Sequence, residues 1–285
     1  MSKLFRKAAL AAIVAGGASP VLAADFSEPP VVIEEPPVVA QPYEVSDFGG
    51  WYIRGDVDYH KSKFRGADYL TFGVDGPGSG RFDSGELKSA FSVGGGVGYQ
   101  MNEHFRTDLT LDYWSKSSFR GSTSGTCSGV PCVTTDRSSM SALLLMANAY
   151  VDIGTWHGFT PYVGAGIGGA HIKWDDLRNT IEGDGTYRHK GHRGWRFAFA
   201  LMAGASYCLT DNLMLDAGYK FTRVQGGRMF EYLGDATSGS GPGFDKAFNT
   251  HEVRAGLRYN FGGGTNHCYQ PETVAYEPPE PIYTK

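Results

Sequence analysis

The residues of this chain that could do chemistry fall into a few groups. Asp58, His60 and Ser62 bring an acid, a base and a nucleophile close together in the sequence. Such a set works in a hydrolase only if the base reaches the nucleophile and the acid orients the base. Spacing alone does not make them converge, and a Ser at the start of a polar connection is ordinarily a turn residue. The chain is therefore read as non-enzymatic, with no catalytic residue. Tyr187, Arg188, His189, Lys190, His192 and Arg193 form a second group. His and Tyr ligate haem iron, and basic neighbours could hold its propionates. The plainer reading is a solvated basic loop. No cofactor and no metal is assigned, and haem or host-ligand binding stands as an alternative. The Gly runs at 94–98 and 164–169 lie in extended segments with no helix after them, so they are not phosphate loops.

Four cysteines are present, Cys127, Cys132, Cys208 and Cys268. Cys127 and Cys132 lie close together in a Gly/Ser-rich stretch and are the first disulfide candidate. Cys208 with Cys268 is the weaker candidate, because the tail would have to fold back. No CxxC spacing or neighbouring His supports zinc.

The largest group is a set of charges: Arg54, Asp56, Asp58, Arg106, Asp108, Asp112, Asp152, Arg196, Asp216, Lys220, Glu252, Arg254 and Arg258. They occur where every second residue is apolar. In Thr250–Phe261, Val253, Ala255, Leu257, Tyr259 and Phe261 take one side, while Glu252, Arg254 and Arg258 take the other. Strict alternation marks a β-strand, whose successive side chains point to opposite faces. A wholly apolar face opposite full charges suits a strand between lipid and a lumen.

Eight stretches share this pattern: Trp51–His60, Ala90–Gln100, His104–Ser115, Ser141–Ile153, Pro161–Asp175, Trp195–Leu209, Leu213–Arg223 and Thr250–Phe261. Their connections alternate in length. Lys61–Leu87, Lys116–Ser138, Asp176–Gly194 and Val224–Asn249 are long and rich in Gly, Ser and Asp. Met101–Glu103, Gly154–Thr160 and Thr210–Asn212 are short. Short turns on one side and long loops on the other are the habit of a transmembrane barrel, and an even strand number puts both chain ends on the turn side. The expected fold is all-β, an eight-stranded antiparallel up-and-down transmembrane β-barrel with long extracellular loops and Pro-rich periplasmic ends. The charged faces would form a network of ion pairs plugging the lumen, because isolated charges in a dry interior are costly. A narrow porin-like channel is the alternative. Trp51 and Trp156 at the turn ends, with Trp114, Trp174 and Trp195 at the outer ends, are expected to form aromatic girdles at the headgroup level.

Composition agrees. The chain has 285 residues with 40 Gly, 16 Tyr and 17 Phe, and its mean hydropathy is −0.28. Lys3, Arg6 and Lys7 precede an apolar run ending in small residues, so residues 1–24 are read as a cleaved Sec signal peptide. Without those three, 23 basic residues face 30 acidic ones, a net charge of −7 with His neutral. That balance argues against nucleic-acid binding. Residues 25–48 are acidic and Pro-rich, with EPPVV occurring at Glu28–Val32 and Glu35–Val39. Residues 262–285 repeat the flavour. Pro-Pro favours polyproline II, so both read as periplasmic linkers able to reach the cell wall or a periplasmic partner. Residues 49–261 are the barrel.

The segments TPYVGAGIG at Thr160–Gly168, LLLMANAYVDIG at Leu143–Gly154, ASYCLTDNLMLDAGYKF at Ala205–Phe221 and the closing VRAGLRYNF resemble the small outer-membrane β-barrel, opacity-protein-like surface antigens and porin-family proteins of Gram-negative, alphaproteobacterial type. Phe261, ending the last amphipathic strand, resembles their terminal sorting signal. The resemblance implies outer-membrane localisation and the barrel-assembly machinery as a partner. It also implies contact with outer-membrane lipid and lipopolysaccharide, a monomeric state, and a structural role in envelope integrity with surface interaction through the extracellular loops.

Overall fold

The structure is a computed structural model. It describes residues 49–261, apart from 74–75, 128–129 and 235–237 and the side chain of Cys127. The expected signal peptide at 1–24, the expected linker at 25–48 and the expected tail at 262–285 lie outside the described residues.

The strands are β1 (Gly50–Phe64), β2 (Ala67–Gly73), β3 (Gly76–Leu87), β4 (Ala90–Gln100), β5 (Phe105–Cys127), β6 (Val130–Asp152), β7 (Phe159–Trp174), β8 (Leu177–Ile181), β9 (Gly185–His189), β10 (Arg193–Cys208), β11 (Leu213–Phe230), β12 (Leu233–Gly234) and β13 (Gly239–Phe261). Eight of them close a ring of antiparallel pairs in the order β1, β4, β5, β6, β7, β10, β11, β13 and back to β1. At the seam Trp51 pairs with Phe261 and Phe64 with Phe248. Each ring strand is thus paired on both sides, which leaves the cylinder without an open edge and satisfies the backbone where no water is available.

The side-chain alternation decides what faces where. On β1, Trp51, Ile53, Val57 and Tyr59 are exposed on the outside while Arg54, Asp56, Asp58 and His60 are buried within. On β13, Val253, Leu257 and Phe261 face out and Glu252, Arg254 and Arg258 face in. A continuous apolar belt therefore surrounds a charged interior, the reverse of a water-soluble fold. Short turns close one end: Met101 and Leu209 donate backbone N–H groups to the carbonyls of Phe105 and Leu213.

The opposite end corrects the sequence expectation. The four long connections are largely strand. β1 runs on to Phe64, and β2 and β3 form a hairpin, with β2 on the β13 edge and β3 on β5. β5 and β6 continue as a pair out to Cys127 and Val130. The β8–β9 hairpin adds to β6, and Gly191 bridges to Phe230. The β-sheet cylinder thus continues beyond the apolar belt. Gly and Ser made these segments read as loops. Strand partners, on both sides for β2, β3 and β8 and on one side for β9, supply the hydrogen bonds that intrinsic propensity does not.

The interior has two layers. Near the turns it is ionic. Above this, Trp114, Leu144, Ala170, Ala198, Phe248, Phe64, Phe119, Trp174, Phe82 and Phe230 belong to one buried apolar cluster. Its rings meet edge to face: Phe119 lies 5.0 Å from Phe64, 6.0 Å from Phe82 and 5.6 Å from Trp174, centroid to centroid. Such contacts favour one packed arrangement. Trp114 and Trp174, expected in the outer girdle, are fully buried members of this cluster. Each shares strand parity with inward neighbours, Asp112 and Ile172, and parity outweighs the preference of Trp for the headgroup level. Trp51, Trp156 and Trp195 are exposed.

Candidate functional site

The inward faces of five strands bring the charges into one cluster. Arg54 on β1 binds Asp56 at 2.8 Å and Asp108 of β5 at 3.1 Å. Arg254 on β13 reaches Asp58 at 3.2 Å, Asp56 at 3.4 Å and Asp112 at 3.7 Å. Lys220 on β11 contacts Asp112 at 2.7 Å and Glu252 at 3.9 Å. Arg106 pairs with Asp152 at 3.1 Å and Arg258 with Asp216 at 3.2 Å. Every side chain here is buried. Tyr52 and Ser206 donate hydrogen bonds to Asp108 and Asp216, so the carboxylates carry neutral donors as well as cations, as buried charges require. The signs do not cancel: Arg54, Arg106, Lys220, Arg254 and Arg258 face seven carboxylates.

Sequence reasoning did not foresee the ring contacts of Arg106 or the separate place of Arg196. Arg106 lies against both Tyr150 and Tyr162, with its guanidinium carbon 4.2 Å and 4.7 Å from the ring centroids, and the two rings meet each other edge to face at 5.7 Å. Tyr on an inward position of a lipid-facing strand was the available signal, since a phenol inside a barrel needs a polar partner. Glycine makes the room. A Cβ at Gly98 would collide with the Tyr52 ring, and one at Gly164 would lie 2.5 Å from Cδ1 of Tyr150. Arg196 departs from the cluster. It sits in the upper cylinder with Asp245 at 2.7 Å and donates to the carbonyl of Arg228. Burial raises the Asp245 pKa while Arg196 opposes it.

The other candidate groups are separated by the fold. Asp58 pairs with Arg254, Ser62 is hydrogen-bonded to Thr250 at 2.8 Å, and His60 stacks on Trp114 with ring centroids 5.1 Å apart. Among the described residues no hydrogen bond joins the three. His189 points into a cup of about 490 Å³ at the outer mouth, with its ring against Phe230. His192 faces a different cleft on the flank and meets Glu231 at 2.7 Å. Tyr187 donates to Asp184. His189 and His192 therefore line different cavities, and the two imidazoles do not share one site. Cys132 and Cys208 lie at opposite ends of the barrel, and each takes part in a separate disulfide. The side chain of Cys127 and the whole of Cys268 lie outside the described residues.

Known proteins fit this architecture. The family model described as "Outer membrane protein beta-barrel domain" matches residues 38–261. An uncharacterized protein of Brucella suis is 38% identical over 290 residues, covering 90% of this chain and 99% of its own length. The outer membrane protein PagN of Salmonella typhimurium is 32% identical over 141 residues, covering 47% of this chain and 57% of PagN. Among solved structures, Neisserial surface protein A overlaps 74% of this chain and 97% of its own, with a TM-score of 0.40 and 20% identity. The extent of the family match and the closed ring agree: this chain belongs to the outer membrane protein β-barrel domain family.

Proposed function

We propose that the protein is a non-conducting surface barrel, a rigid stave in the envelope whose function is carried by its extracellular end. The observation behind this reading is the layered interior. The ion cluster crosses the bore near the turns, and the aromatic cluster around Phe119 crosses it again above. A permeant ion would have to displace buried, mutually paired charges and then enter an apolar layer, and both steps are costly. The extended cylinder favours recognition as well. Pairing β2, β3, β8 and β9 into the sheet holds the outer segments in fixed places, and rigidly held connecting segments suit contact with other molecules. Asp58, His60 and Ser62 are each engaged in interior contacts, which supports a non-catalytic role.

Planar-bilayer recording tests the reading. The mature protein, with insertion verified by protease protection in vesicles, is expected to give no steady single-channel steps. Reproducible steps at low voltage would establish the porin-like alternative instead.

A further inference from the structure

The outer surface carries arginines in register. Arg120 on β5 is the cross-strand partner of Arg137 on β6. Arg137 in turn pairs with Arg178 on β8, and Arg178 with Arg188 on β9. All four are exposed on the outside of the cylinder. With adjacent strands about 4.8 Å apart, the row spans about 14 Å. Like charges directly opposite one another destabilise a sheet, so three such pairings in succession call for an anion. Among the described residues Arg188 has only Asp176 as an ion-pair partner, at 4.0 Å. Arg137 and Arg178 enter no ion pair among the described residues.

A second basic level lies below. Lys173 on β7 is paired in register with Arg193 on β10, two residues above His171 and Trp195. Trp195 is 61% exposed and marks the upper edge of the apolar belt. Ser141 is the β6 partner of Lys173, four residues along the strand from Arg137. At about 3.3 Å per residue the two levels are separated by up to about 13 Å. Between them runs an open cleft of about 1160 Å³, lined by Arg137, Arg178, Lys173, Lys190 and Arg193 among others. Its carboxylates, Asp175, Asp176 and Glu231, are already engaged: Lys116 at 2.7 Å, Arg188 at 4.0 Å and His192 at 2.7 Å hold them. This surplus of cations stands on a chain whose net charge is negative.

We propose that this flank, formed by β6, β7, β8, β9 and β10, binds one lipopolysaccharide molecule. The lipid A phosphates lie at Lys173 and Arg193, and the acidic groups of the inner core lie along Arg137, Arg178 and Arg188. The inference deepens the surface-barrel reading and rests on the long-strand end facing outward. Depth is what selects this ligand. Trp195 sets the hydrocarbon boundary, the first cations meet the headgroup level, and the arginine row meets anions farther out. A phospholipid headgroup carries a phosphate at the first level alone. Arginine suits the task because its planar guanidinium binds phosphate and carboxylate oxygens in pairs.

The test is native mass spectrometry of the mature protein in detergent micelles. It is titrated with purified lipopolysaccharide retaining its inner core, with lipid A, with enzymatically dephosphorylated lipid A, and with phosphatidylglycerol. The expected order of affinity is lipopolysaccharide, then lipid A, then the other two together. The pair Lys173→Ala/Arg193→Ala is expected to lose about tenfold toward both lipopolysaccharide and lipid A, whereas Arg137→Ala/Arg178→Ala loses about tenfold toward lipopolysaccharide alone. Lys61→Ala/Lys63→Ala, on the far side of the barrel, serves as the control for general charge. All of these substitutions are on exposed positions, and retained gel mobility without boiling shows that each variant still folds. Equal binding of dephosphorylated lipid A, or equal loss in the Lys61/Lys63 control, would overturn the site. None of these results bears on conductance, so failure here and failure of the non-conducting reading are separately visible.

Discussion

Lys220 holds its ammonium 2.7 Å from a carboxylate oxygen of Asp112 inside the barrel, with both side chains essentially sealed from solvent. Glu252 shares the same cation at 3.9 Å and also accepts a hydrogen bond from Thr222. Seven carboxylates to five cations in this lower cluster leave no spare positive charge, so one lost cation has no substitute. Arg254, the next nearest, already faces Asp56, Asp58 and Asp112.

Lys220→Met is therefore expected to destabilise the folded barrel by about 3–5 kcal/mol, the usual cost of removing one partner from a buried pair. Adding Asp112→Asn and Glu252→Gln, which remove the stranded charges, should recover most of that loss. The midpoint of urea unfolding in lipid vesicles measures both. A single variant that unfolds at the wild-type midpoint would show that water reaches these groups.

The eight ring strands were legible because a lipid-facing strand with a charged interior must alternate. Glu252, Arg254 and Arg258 stand out against Val253, Leu257 and Tyr259. The pattern fails higher up, where the interior is apolar too. Ala142, Leu144 and Met146 face in while Leu143 and Leu145 face away, so both faces look alike and the second interior layer leaves no trace. The inward turn of Trp114 could have been read from its parity with Asp108 and Asp112. Residue type pointed the other way. The arginine row was not readable at all: Arg120, Arg137, Arg178 and Arg188 are far apart in sequence, and only register makes them neighbours.

Phe119 lies at the centre of the upper apolar layer, in contact with Phe64, Phe82 and Trp174. Phe119→Ala would leave a cavity among rings that cannot all move in, at a cost of about 3–5 kcal/mol. The loss should be local to the outer cylinder. Limited proteolysis is expected to cleave the β2–β3 and β8–β9 hairpins faster, while the membrane portion keeps its folded mobility on an unheated gel. Unchanged cleavage would mean that strand pairing alone holds the extension.

Gly98 packs beneath the ring of Tyr52, where a Cβ would collide with it. That ring is fixed by hydrogen bonds from its hydroxyl to Asp108 at 3.1 Å and to the Thr107 carbonyl at 3.2 Å. It also lies under Arg258, whose guanidinium carbon is 5.4 Å from its centroid. Gly98→Ala should therefore destabilise by about 1–3 kcal/mol, the range for overpacking a filled interior. Gly55 faces the lipid side, and a methyl group added there would meet nothing within 4 Å, so Gly55→Ala should be near neutral. Equal urea midpoints for the two variants would remove the claim that interior glycines are spaces for specific rings.

Acid should loosen the outer mouth through His189. The ring is buried against Phe230, with centroids 5.0 Å apart, and burial lowers its pKa while the Glu231 carbonyl partly opposes. The folded hairpin thus keeps His189 neutral, while an opened one takes up a proton below the ordinary imidazole value of about 6.5. From about pH 6.5 down to the lowered folded value, the open form binds more protons, so stability is complete above this window and declines as pH falls through it. Asp136 acts in the opposite sense, because burial raises its pKa and protonation then favours the folded form. The comparison is accordingly with His189→Asn, which retains Asp136. Protease cleavage of the β8–β9 hairpin should rise on moving from about pH 7.5 to about pH 5.5 in the wild type and rise less in the variant. An identical pH response in both would assign the acid sensitivity to groups other than His189.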